Sequence, residues 1–110
     1  MVKGKSELLH GTLELLLLKL LEVESMNGYG VGQRIQELTD DALRVDEGSL
    51  YPALYRMERR GWLKSAWRQS ENNRRAKYYR VTRRGLAQLH AESENWADFT
   101  TAVSKILESA

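Results

Sequence analysis

Gly48-Ser49-Leu50-Tyr51-Pro52-Ala53-Leu54-Tyr55-Arg56-Met57-Glu58-Arg59-Arg60-Gly61-Trp62-Leu63 reads as a helix with two unlike faces. Leu50, Leu54 and Met57 recur at helical spacing and point to a core. Asp46 is a good N-cap and Gly61 a good stop. Pro52 lies near the start, where a missing amide hydrogen costs least, so the first turn falls between Asp46 and Ser49. The other face carries Ser49, Tyr51, Tyr55, Arg56 and Arg59. A helix that opens there offers free amide hydrogens and a positive dipole end to a phosphate. Its hydroxyls and guanidinium groups suit backbone oxygens and guanine edges. Tyr55 could serve either face, and its neighbours favour the outward one.

This helix opens the basic part of the chain. Between Arg56 and Arg84 lie eleven of the seventeen Lys and Arg residues and two acids, Glu58 and Glu71. That stretch sums to +9 and the remaining residues to −7, so the net charge of +2 conceals a strong asymmetry. A concentrated basic segment beside acidic flanks is what a polyanion-binding surface on a globular domain looks like. A charge run is more often a plain solvated face. Here it interleaves with Trp62, Trp67, Tyr78 and Tyr79, so it folds.

After Gly61 the period changes from 3.6 toward 2, and Trp62 to Gln69 and Ala76 to Thr82 read as two short strands. The polar turn Ser70-Glu71-Asn72-Asn73-Arg74-Arg75 joins them, and Asn72 or Asn73 can take a left-handed conformation. Arg74 and Arg75 would sit at the tip and reach a minor groove or its phosphates, with Lys77 adding a phosphate contact. Tyr79 and Val81 alternate inward. Thr82 caps a long helix from Arg83 to Leu107. Arg83 and Arg84 at its start oppose the macrodipole unless an anion lies nearby.

Working back toward the N-terminus, Leu8 to Val23 is leucine on nearly every face and must be buried on more than one side. Asn27-Gly28-Tyr29-Gly30 breaks it, and a second helix from Tyr29 to Leu38 turns Val31, Ile35 and Leu38 inward. In the last helix Leu89, Trp96, Phe99, Val103 and Ile106 are spaced 7, 3, 4 and 3, a heptad-like stripe that suits a partner helix. The simplest partner is a second copy of the chain. Trp96, Phe99 and Val103 are the candidate dimer and ligand residues of that stripe. The expected fold is mostly α with a small β-hairpin: a winged helix-turn-helix domain over residues 1–82 and a dimerisation helix over 83–110.

At 110 residues the chain has room for one modest core. The absence of cysteine excludes disulfides and thiolate metal sites. His10, near an N-cap, and His90, on the last helix, do not pair at metal-binding spacing, although His90 with Glu92 or Glu94 could bridge subunits. No phosphate loop, nucleophile elbow or zincin motif occurs, so neither an enzyme nor a cofactor is expected. Leu15 to Leu18 is too short an apolar run to span a bilayer. Lys3 and Lys5 precede the leucine segment, but Glu14, Lys19 and the lack of a small-residue cleavage site argue against a signal peptide, which leaves a cytoplasmic protein.

Three blocks give the chain a family. Gly48 to Leu54 with Arg56 to Leu63 resembles the recognition-helix block of the PadR-like transcriptional regulators. Arg75-Ala76-Lys77-Tyr78-Tyr79-Arg80-Val81-Thr82, with Gly85, resembles their wing strand and the start of their last helix. Leu9-His10-Gly11-Thr12-Leu13 and Asn27-Gly28-Tyr29-Gly30 resemble the first helix and its turn. Where the family usually has a Gly-Arg wing turn, this chain has Asn72-Asn73, and Asn tolerates positive φ.

The resemblance implies a winged-helix repressor that binds double-stranded DNA as a homodimer through its first and last helices. Its two recognition helices would sit roughly 34 Å apart on an inverted repeat. It also implies a small planar apolar effector, because some members sense such compounds with a tryptophan placed like Trp96. A plain interface anchor is the more common role of an aromatic on a terminal helix and the favoured reading of Trp96, and the two roles are compatible. Two rivals remain: a winged-helix module that docks an acidic protein, and a non-specific nucleic-acid binder.

Overall fold

The computed structural model describes the backbone of residues 2–109 and the side chains of residues 12–109. The expectations placed on Leu8, Leu9 and His10 lie outside those side chains. The elements run α1 (Val2–Val23), β1 (Met26–Asn27), α2 (Gly28–Leu38), α3 (Glu47–Arg59), β2 (Leu63–Gln69), β3 (Arg75–Val81) and α4 (Arg83–Leu107). Helices α1 to α3 and the first turns of α4 enclose the core, and a three-stranded antiparallel sheet in the order β1-β3-β2 closes one side. No helix of the described residues is long and apolar enough to cross a membrane.

Helices α2, α3 and α4 start where the sequence offers an oxygen to an unpaired amide. The Asn27 side chain accepts from the Gly30 amide at 2.7 Å, and Asp46 accepts from Ser49 at 2.8 Å. Thr82 accepts from Gly85 at 3.1 Å. Helix α3 stops at Gly61, whose φ of 81° is left-handed. There the Gly61 amide donates to Glu58 O and the Trp62 amide to Met57 O, each at 3.0 Å, which is the paired-bond ending that a glycine permits.

Leu13, Leu17, Leu18 and Leu21 of α1 pack on Val31 and Ile35 of α2 and on Leu50, Ala53, Leu54 and Met57 of α3. Leu15, Leu16 and Leu20 are only partly covered, so a single chain leaves the second flank of α1 open. In α4, Gly85 and Leu89 are buried. Leu89 therefore belongs to the chain's own core, whereas the sequence placed it in the partner-facing stripe. Beyond it no described α4 side chain is fully buried, and Trp96 and Phe99 are 43% and 59% exposed. Val103 is half-buried.

Other expectations are corrected. Leu38 is 56% exposed, because α2 ends there and the chain turns away through Asp40 and Asp41, both at positive φ. The first turn of α3 opens at Glu47, inside the expected window, but Pro52 is its sixth residue, past the positions where a missing amide hydrogen costs least. The carbonyl it cannot bond is that of exposed Gly48, which water can satisfy. The sheet has a third strand, β1, paired through Met26 with Tyr79 and Asn27 with Tyr78. Arg84 does not require an external anion. Its guanidinium lies against Gly61, at the carboxyl end of α3, where a cation is favourable.

A single hydroxyl joins α3, the wing and α4. Thr82 Oγ1 donates to Gly61 O at 2.6 Å while accepting from the Gly85 amide, and the Thr82 amide donates to Trp62 O at 3.0 Å. Gly85 fits because it lacks a side chain: a Cβ there would collide with the Trp62 carbonyl oxygen and stand 2.8 Å from Val81 Cγ1. Gly85→Ala is expected to cost about 1–3 kcal/mol of unfolding free energy, as overpacking does. Thr82→Val should cost about 1–2 kcal/mol and Thr82→Ser much less, read by denaturant unfolding at one fixed protein concentration.

Candidate nucleic-acid interface

Helix α3 turns Leu50, Ala53, Leu54 and Met57 inward. At 3.6 residues per turn the centre of its outer face then falls on Gly48, Pro52, Tyr55 and Arg59. Tyr55 is exposed, as the outward reading expects, and the Arg59 guanidinium lies 5.7 Å from its ring centroid. Among the described residues Arg59 makes no ion pair.

The remaining candidates of α3 flank that centre. Ser49 is half-buried. Arg56 is exposed but turned toward α1, where Glu14 Oε2 lies 3.7 Å from Arg56 and 3.4 Å from Arg60. Tyr51 packs its ring edge over Gly28, the first residue of α2, at a spot that a Cβ would occupy. Tyr51 is nonetheless 43% exposed, so it both spaces α2 from α3 and borders the outer face.

The wing is a regular hairpin, with Leu63 opposite Val81 at its root and Gln69 opposite Arg75 near its tip. Asn73 takes the left-handed conformation that the turn needs, with φ of 62°. The Gln69 side-chain amide donates to the Asn73 side-chain oxygen across the base of the turn.

Lys77 points back to α3 rather than outward, 3.2 Å from Glu58 Oε1, while Glu58 Oε2 accepts from the Ser65 hydroxyl at 2.6 Å. Glu58 thus pins the wing to α3. Its partly exposed ion pair adds little stability, so its effect is one of position. Arg74 and Arg75 at the tip are exposed and make no ion pair among the described residues. Arg75 lies 5.7 Å from the Trp67 ring centroid, and Arg68 lies 4.0 Å from that of Tyr78. Sequence reading passed over Glu14, Glu58 and Trp67. The two acids gave no signal because their partners lie on other elements. Trp67 counts in the sequence as one of the aromatics interleaved with the basic run, with no contact assigned to it.

Together these elements make one basic face: the α3 outer surface at its centre, the wing arginines beside it, and two acids behind that position the flanking cations. Such a face can neutralise phosphates and present side chains to base edges. Among the described residues no three His, Cys, Asp or Glu side chains come together as a metal site. The Trp96 and Phe99 rings, 6.1 Å apart, lie on the second half of α4.

Tyr51 and Tyr79 behind the face stay protonated well past neutrality. Burial raises the Tyr51 phenol above 10.0, and Glu47 adds to the effect. Burial also raises Tyr79 above 10.0, with Lys77 opposing and Glu58 and Tyr51 adding. A phenol whose pKa is higher folded than unfolded leaves stability level below pH 10 and erodes it above. The midpoint of thermal unfolding should therefore fall above pH 10, and fall less steeply in Tyr79→Phe.

The model of the transcriptional regulator PadR-like family matches residues 17–91 of the chain. The chain is similar to a transcriptional regulator from Clostridium thermocellum at 28% identity and a TM-score of 0.85, with 94% of this chain and 100% of that one covered. A PadR-like transcriptional regulator from Bacillus cereus is 30% identical with a TM-score of 0.81, covering 96% of this chain and 100% of that one. A padr family transcriptional regulator from Eggerthella lenta is 34% identical with a TM-score of 0.80, covering 94% and 88%.

Proposed function

The chain belongs to the PadR-like family of transcriptional regulators, proteins that regulate and do not catalyse, and we propose that it represses transcription by binding an inverted-repeat operator as a homodimer. As a regulator of transcription it works beside the chromosome, in the cytoplasm. The observation that carries the reading is that Tyr55 and Arg59 of α3 and Arg74 and Arg75 of the wing are all exposed, on two elements that the Lys77–Glu58 ion pair ties together. Tyr55 and Arg59 enter the major groove, where an arginine can pair with a guanine edge. Ser49, Tyr51 and Arg56 border the groove and meet phosphates. Arg74 and Arg75 take the adjacent minor groove, and Lys77, turned back to Glu58, holds the wing beside α3 rather than meeting a phosphate.

The dimer is supported by two apolar surfaces that one chain covers only in part, the half-buried Leu15, Leu16 and Leu20 flank of α1 and the Trp96, Phe99 and Val103 stripe of α4. Residues 83–110 act as the dimerisation arm of a DNA-binding domain formed by residues 1–82. Facing Trp96 side chains offer a slot to a planar apolar effector. Such a ligand would act by preferring one angle between the paired arms, and so one spacing of the two α3 helices.

Selection of bound duplexes from a random pool tests the reading, with the double variant Arg74→Ala/Arg75→Ala in parallel. Enrichment of an inverted repeat with half-sites about ten base pairs apart, weakened by the variant, is expected. Affinity should fall with salt at a log–log slope of roughly −7 for about eight neutralised phosphates. Salt-sensitive retention without an enriched sequence would mean a non-specific binder, and no retention would mean a protein-docking module. Sedimentation at micromolar concentration should show a dimer that Trp96→Ala dissociates if the indole is an anchor. If the variant remains dimeric and loses only ligand response, the indole is a clamp.

A further inference from the structure

Trp67 is a large apolar side chain at the basic surface that the fold does not use. It lies in β2 directly opposite Lys77 of β3, so the two side chains leave the sheet on the same face. Lys77 reaches Glu58 of α3 from that face, which fixes it as the one turned toward the recognition helix. The next pair outward on that face is Gln69 and Arg75, and the Arg75 guanidinium stands 5.7 Å from the indole centroid. Yet Trp67 is 58% exposed. Tyr78, on the opposite sheet face, is half-buried and carries Arg68 above it. An exposed indole between the recognition helix and the wing tip contributes little to folding and much to whatever the face meets.

We propose that Trp67 is a DNA-contacting residue whose indole lies against the deoxyribose edge of the minor groove flanking each half-site. Arg75, held over the ring, extends from it to the adjacent phosphates. This rests on the DNA-binding reading and adds to it a contact of a different kind. The wall of the minor groove offers the C–H surface of the sugars between rows of phosphates, which suits an apolar plate carrying a cation. The cation releases counterions when it binds and so weakens with salt, whereas the indole contact does not. Stacking on the indole also holds the guanidinium near its bound position, so less freedom is lost when it meets the phosphate.

The test uses the full chain and an operator duplex obtained by selection. Trp67→Ala should weaken binding about tenfold at every salt concentration and leave the log–log slope nearly unchanged, as loss of an aromatic contact does. Arg74→Ala should instead reduce the slope by about one. Titrating the duplex should change indole emission in the native protein, and Trp67→Phe should lose most of that change while keeping most of the affinity. If Trp67→Ala does not fold, the emission comparison decides alone. Operator binding by the native protein with full affinity in Trp67→Ala, or an unaltered emission change in Trp67→Phe, would overturn the proposal and leave DNA binding intact. Failure of the native protein to retain any duplex would overturn both.

Discussion

The hydroxyl of Thr82 is the constraint through which the parts of this molecule are joined. It donates to Gly61 O, where α3 ends, and accepts from the Gly85 amide, where α4 begins. The Thr82 amide closes the root of the wing onto Trp62 O. The recognition helix, the hairpin beside it and the long arm behind it therefore leave from one point of a few ångströms. Gly85 makes the joint tight, since no other residue fits under the Trp62 carbonyl.

The basic segment is divided by what lies behind it. Glu14 on α1 engages Arg56 and Arg60, and Glu58 engages Lys77. These pairs are partly exposed and add little stability, but each fixes a cation at the edge of the face. Of the cations without such partners, Arg59 and Arg75 rest on aromatic rings and Arg74 stands exposed at the wing tip. The +9 of the sequence is thus two populations, one that shapes the surface and one that is available to a polyanion.

Local signals were legible and tertiary ones were not. Asp46, Gly61 and Thr82 announce their caps because capping is a matter of one side chain and the next three amides. The bounds of α4 could be read from Thr82 and the apolar stripe, and the hairpin from its change of period. The two-residue strand β1 left no pattern, because it exists only by pairing with β3. Leu38 misled because helical spacing assigns a face without saying where the core ends. Arg84 looked like an anion site until the end of α3 was seen beneath it. For the candidate site, the residue types on α3 and the wing tip were readable. Which of them are held back by Glu14 and Glu58 depends on packing between elements far apart in sequence.

Hydroxyl-radical footprinting of the protein on an operator duplex tests the central claim most directly. Two patches of protection on one face of the duplex, about ten base pairs apart and each flanked by a protected minor-groove segment, are what a dimer with paired α3 helices and wings predicts. A single patch, or uniform protection along the duplex, would contradict it.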